Sequence, residues 1–173
     1  LLPRHVNPTE VKEEKPLPVA LLVIYKDMVG FTSTGDYEAA MLKLKEASRV
    51  YIPEDLKYVF SRFNELLENE VKLIRKIDEC IVSSRSLLNL GLLDESQAKV
   101  EDGFRYARKA LMVIFELEEA SDRLSKLIPV NLKPALEGLK KVLDKKTAQL
   151  KTLSGEVEEK QVKGIIKTRL KIW

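Results

Sequence analysis

Cysteine and histidine are almost missing from this chain, which holds one of each, Cys80 and His5. A single cysteine allows no internal disulfide. Without further His or Cys, zinc, haem and di-iron centres lack their usual ligands, and no helix offers the Glu-x-x-His pair of a di-metal bundle. Nucleophilic catalysis fares no better. Ser83, Ser84, Ser86 and Cys80 cluster along one stretch, but any Ser-His or Cys-His pairing would have only His5 to draw on. Small polar residues at such places let helices approach, and Cys80, on an apolar stripe, reads as a core residue. Acidic neighbours such as Glu13/Glu14, Glu118/Glu119 and Glu158/Glu159 point in different directions on a helix and build no site. No Gly-rich phosphate loop occurs, and Asn7-Pro8-Thr9 is barred as a glycosylation acceptor by its proline. The longest apolar run, Leu17–Tyr25, is too short to span a bilayer and lacks the marks of a signal peptide. We therefore expect no enzyme, no cofactor and no metal. Because the chain begins at Leu1, we also expect a processed protein or an excised piece of a longer one.

What is present is charge. Charged residues make up 33% of the 173 residues, above the usual quarter and mostly Lys and Glu, a habit of helix-rich and thermophile proteins. The net charge of +3 is uneven, with eleven Lys/Arg against five Asp/Glu from Leu132 onward. A basic end suggests nucleic acid or anionic lipid. Aromatics are not interleaved with those cations as stacking platforms require, so nucleic acid is not expected. A solvated Lys-rich face is the plainer reading.

Apolar periodicity organises the chain. Residues 1–16, with three prolines, read as an extended arm. Residues 17–52 read as a helical hairpin, with Gly35 as a C-cap and Asp36 as an N-cap. Three long helices follow over 54–90, 94–128 and 131–162. Pro53 presets the first, whose seam runs Leu56, Phe60, Phe63, Leu67, Val71, Ile74, Ile77, Ile81 and Leu88, with Ser84 in one slot. The second seam is Val100, Phe104, Ala107, Leu111, Ile114, Leu117, Ser121, Leu124 and Ile128. The third, capped by Asn131, is Leu132, Leu136, Leu139, Leu143, Leu150, Leu153 and Val157. Lys146 takes one slot there, its stem packed and its ammonium in water. Steps alternating between three and four make coiled-coil-like stripes, and short loops fold the helices antiparallel. The stretch from Ile166 to Trp173 alternates apolar with basic or polar residues and reads as a β-strand. This strand at 163–173 would open a β-domain beyond this chain, or pair with another copy. Its alternation also suits a strand better than a membrane-surface helix. The expected fold is all-α, an elongated antiparallel bundle of three long helices with an N-terminal hairpin and a short C-terminal strand-like segment.

Gly35-Asp36-Tyr37-Glu38-Ala39-Ala40, followed by Leu44, Ala47 and Pro53, resembles the turn and second helix of a tetratricopeptide repeat, over about residues 22–53. The wider layout of hairpin, long bundle and strand-like exit resembles the helical modules of archaeal cell-surface proteins that alternate with β-sandwich domains. That resemblance implies an extracellular spacer, anchored by a membrane segment outside this chain. The repeat-like hairpin implies instead a cytoplasmic adaptor, with Tyr25, Phe31, Tyr37 and Tyr51 as candidate residues for docking a partner peptide or helix. Self-association through apolar residues off the seams (Leu73, Val82, Val113, Phe115) is a third expectation. A protein partner or a second copy is expected in each case.

Overall fold

A computed structural model describes residues 17–172. Among them are five α-helices, a short 3-10 turn and no strand: α1 Leu17–Thr34, α2 Tyr37–Ser48, the turn Glu54–Leu56, α3 Lys57–Asn89, α4 Leu93–Leu127 and α5 Lys133–Ile172. The chain is all-α, a helical bundle. The expected arm at 1–16 lies outside the described residues.

Local chemistry sets the ends. Gly35 at φ +84° and Gly91 at φ +77° stop α1 and α3. Each holds a left-handed conformation open to glycine without steric cost. In both, the next residue's N–H reaches back five residues, Asp36 to Phe31 O at 2.9 Å and Leu92 to Leu87 O at 2.9 Å. These bonds satisfy carbonyls that a helix end otherwise leaves orphaned. Asp36 then accepts from Ala39 N at 3.2 Å to cap α2, and Asn131 accepts from Lys133 N at 3.2 Å at the head of α5. Asp94 lies in the first turn of α4, favourable beside the positive end of the dipole although not the cap expected of it.

The chain divides into two compact units whose boundaries fall inside α3, α4 and α5. The first comprises the chain up to Lys72 with Met112–Lys140, the second Leu73–Leu111 with Lys141 onward. In the first unit, α1 meets three other helices. Asp27 pairs with Lys43 of α2 at 3.7 Å, and Tyr25 reaches Asn64 and Phe63 of α3. A Cβ at Gly138 of α5 would stand 2.6 Å from Val29 Cγ1, so the glycine admits α1. Leu21, Met28, Ala40, Leu44, Phe60, Phe63 and Leu67 are buried there.

In the second unit, contacts fix an up-down-up order. Asp78 meets Lys146 and Arg85 meets Glu156, so α3 and α5 run parallel. Ser84 meets Ser96, and Gly103 lies against Cys80, so α4 runs the other way. Leu88, Val100, Leu153 and Val157 form a core cluster, with Ile81, Leu93 and Phe104 packed on it. The seams expected from periodicity are buried in the main, with Leu111 an exception at 39% exposed while Ala110 takes the inward place.

The C-terminal strand is corrected: α5 continues through 163–172 as helix. Alternation over so few residues fits either period, and β-branched preference is weak beside an established helix that each residue extends by one hydrogen bond. Arg169 and Lys171 in the last turn suit the negative end of the dipole. Lys146 also departs from expectation, since its Nζ meets Asp78 Oδ1 at 2.6 Å in a site where the lysine side chain is only 13% exposed.

Candidate functional site

The polar and aromatic groups of the first unit divide between core and surface. Tyr25 is 1% exposed. Its hydroxyl donates to Asn64 Oδ1 at 2.7 Å, and its ring meets Phe63 edge-on at 5.7 Å. Burial pushes the phenol pKa well above its usual value, so it stays neutral and acts as a donor. Tyr25 is thus a packing residue and presents nothing to a partner. Phe31 and Tyr37 are half-buried, on α1 and α2. Tyr51, between α2 and the 3-10 turn, is 73% exposed. These four aromatics do not form one docking surface.

Beyond the end of α2 a groove of about 390 Å³ runs along α3. Ile52 and Phe60 supply its apolar lining, and Lys57, Asn64, Glu65 and Glu68 its polar one. The exposed rings of Tyr51 and Tyr58 belong to the same stretch of chain. A second cleft of about 300 Å³ separates α4 from the start of α5. There Glu118, Asp122 and Glu137 share the space with Lys133 and Lys140, and Lys140 Nζ stands 3.9 Å from Glu118. Opposite charges share that cleft, so it collects no one-signed cluster.

Glu70 is the group that sequence reasoning missed. It is fully buried on α3, and neither carboxyl oxygen has a hydrogen-bond partner. Burial pushes its pKa up to about 9 from an ordinary 4.5, because removing a carboxylate from water penalises the charged form. The signal was available: Glu70 follows Leu67 by three and precedes Ile74 by four, which is seam spacing.

In the second unit, Ser84 is buried as expected, and the partner it finds is Ser96. Ser96 Oγ donates to Ser84 O at 2.8 Å, Ser84 Oγ reaches Ser96 O at 3.0 Å, and the two hydroxyls are 2.8 Å apart. This clasp joins α3 to α4. Ser84→Ala should cost about 1 kcal/mol in a urea titration, because both contacts of the Ser84 hydroxyl with Ser96 are lost while Ser96 Oγ keeps its bond to Ser84 O. The Ser84→Ala/Ser96→Ala double variant should cost less than the two singles added together; strict additivity would show that the hydroxyls act separately. Ser83 is half-buried and Ser86 exposed. Cys80 is 7% exposed, and burial first, then Asp102, raises its thiol pKa, the setting of an unreactive thiol.

Among the described residues no group of three His, Cys, Asp or Glu is placed to hold a metal ion. His5 and the pair Glu13/Glu14 lie outside them. No family model, curated protein or solved structure matches this chain. No described helix is long and apolar enough to cross a membrane.

Proposed function

We propose that this chain is a non-enzymatic structural module, a helical spacer within a longer protein at the cell surface. The observation that carries this reading is the uninterrupted run of three helices of 33, 35 and 40 residues. Such helices hold a set distance at 1.5 Å per residue. Two interior polar contacts also go into packing: Ser84 and Ser96 clasp α3 to α4, and Lys146 of α5 meets Asp78 of α3. The Lys/Glu-rich composition fits the same role. Of the layout that resembles archaeal cell-surface modules, the hairpin and the long helices remain and the strand-like exit does not, and a membrane anchor would lie outside this chain.

Rigidity within α3 is the requirement to test. In a Cys80→Ala background, spin labels at Tyr58→Cys and Ser86→Cys should give one narrow distance distribution near 42 Å, set by 28 residues of helix. A broad or two-peaked distribution would place a hinge inside the helix and remove the basis for a spacer.

A second reading, a cytoplasmic adaptor that binds a partner peptide or helix, is favoured by the groove lined by Ile52 and Phe60 and by the exposed Tyr51 and Tyr58. Protease applied to intact cells separates the two. A spacer is shaved from the surface, whereas an adaptor survives until the cells are broken.

A further inference from the structure

The last turns of α5 lack the neighbours that the rest of the second unit has. Every side chain from Val162 to Lys171 is exposed, including Val162 at 54%, Ile165 at 56%, Ile166 at 51% and Leu170 at 69%. Single exposed aliphatics are ordinary, but a contiguous group marks an interaction surface. Charge is equally one-sided: Lys160, Lys163, Lys167, Arg169 and Lys171 fall within 160–172, with no Asp or Glu among them. Glu159, the nearest acid in sequence, pairs with Lys163 at 2.9 Å, and Asp94 and Glu95 stand across a groove from Ile165 and Arg169.

Helix geometry sorts these residues into rows. Val162, Ile166 and Leu170 are spaced i, i+4, i+8 and lie one above the other. Lys163, Lys167 and Lys171, each one position later, form a cationic row alongside. Ile165 and Arg169 instead line a groove of about 850 Å³ whose other wall is Gly91–Glu95. Leu90 and Leu92 at that turn are exposed as well, at 73% and 43%.

We propose that this basic, amphipathic end of α5 docks on an anionic lipid surface. The Val162–Ile166–Leu170 row enters the boundary between headgroups and acyl chains, and the lysine row meets lipid phosphates. Lysine stems can lie along apolar surface while their ammonium groups reach outward to phosphate level. A second copy is disfavoured as the occupant, because pairing two such rows would set one lysine row against another. A single partner helix is disfavoured by breadth. The four aliphatics cover an arc of about 140°, wider than a coiled-coil seam, and Leu92, across the groove from Ile165, adds an exposed aliphatic from another element. A bilayer accepts aliphatics from separate elements without matching their shape. Attachment to a surface, in the plane of the headgroups, is what such a helix can do.

Cosedimentation of the whole chain with vesicles tests the proposal. Phosphatidylcholine vesicles containing phosphatidylglycerol should bind it, phosphatidylcholine alone should not, and added salt should weaken binding. Lys163→Glu/Lys167→Glu/Lys171→Glu should lose about 100-fold or more, at roughly fivefold for each lysine near an anionic surface. Val162→Ser/Ile166→Ser/Leu170→Ser should lose about tenfold or more. All six positions are exposed, so circular dichroism of both variants should match that of the parent. Equal binding to neutral vesicles overturns the proposal. So does undiminished binding by the serine variant, which would reveal only general attraction to a cationic protein. Absence of vesicle binding overturns it too, and would leave the face to an acidic protein.

Discussion

Glu70→Met should raise the unfolding free energy at pH 8 by about 2 kcal/mol or more, the largest gain expected of any substitution in this chain. The parent carboxyl is fully buried and neither oxygen has a partner. It therefore carries the cost of an unsatisfied polar group that a similarly sized thioether avoids. The pH dependence follows from the same burial. The folded pKa is raised to about 9 from 4.5, so between these values the folded chain keeps a proton that the unfolded chain has released. The folded state then binds more protons, and stability falls as pH rises, by up to about 1.4 kcal/mol per unit. This contribution is complete below pH 4.5 and lost by about pH 9. Urea midpoints should therefore drop between pH 5 and pH 8 for the parent and stay nearly level for Glu70→Met and Glu70→Gln. A parent whose midpoint does not move, or rises, would show that Glu70 is ionised and solvated when folded.

Gly103→Val should destabilise the chain by about 3 kcal/mol, the upper end of what overpacking a core costs. A Cβ at Gly103 would stand 2.6 Å from Leu150 Cδ2, 3.2 Å from its Cδ1 and 3.3 Å from Cys80 Cβ. Leu150 is fully buried, so its methyl groups can move only by displacing other core atoms. Gly103→Ala sets the clash against a gain of about 1 kcal/mol in helix propensity and should be milder. Leu150→Val, by shortening the obstructing side chain, should rescue Gly103→Ala and cost less in that background than alone. Thermal melts of the four proteins decide the matter. A Gly103→Val protein as stable as its parent would mean that the helices do not approach this closely.

These two positions mark where reading along the chain stops short. The seam residues from Leu56 to Leu88, and from Leu132 to Val157, follow from spacing alone, because a helix places every third or fourth residue on one face whatever it packs against. Gly103 reads only as a weak point in a helix until Cys80 and Leu150 are brought beside it, from 23 and 47 residues away in sequence. Glu70 has seam spacing, yet its polarity argues for solvent, and only the surrounding core shows that the carboxyl is enclosed. Lys146 is a milder case: its packed stem was expected, whereas the pairing with Asp78 depends on the register of α3 against α5. Among the four candidate docking aromatics, Tyr25 has the composition of an interface residue, but its hydroxyl is satisfied by Asn64, 39 residues on.

Helix positions, their caps at Asp36 and Asn131, their stops at Gly35 and Gly91, and the inward stripes were legible from the amino-acid order, since capping, backbone freedom and period act over a few residues. Tertiary structure decided what those stripes meet: the Ser84–Ser96 clasp, the fit of Gly103 against Leu150, the enclosure of Glu70. It also decided the fate of 163–172, where alternation allowed two backbones and continuation of α5 selected the helix. The physical reason is range. Hydrogen bonding and dihedral preference are set by neighbours in sequence, whereas burial and charge pairing depend on register between segments far apart along the chain.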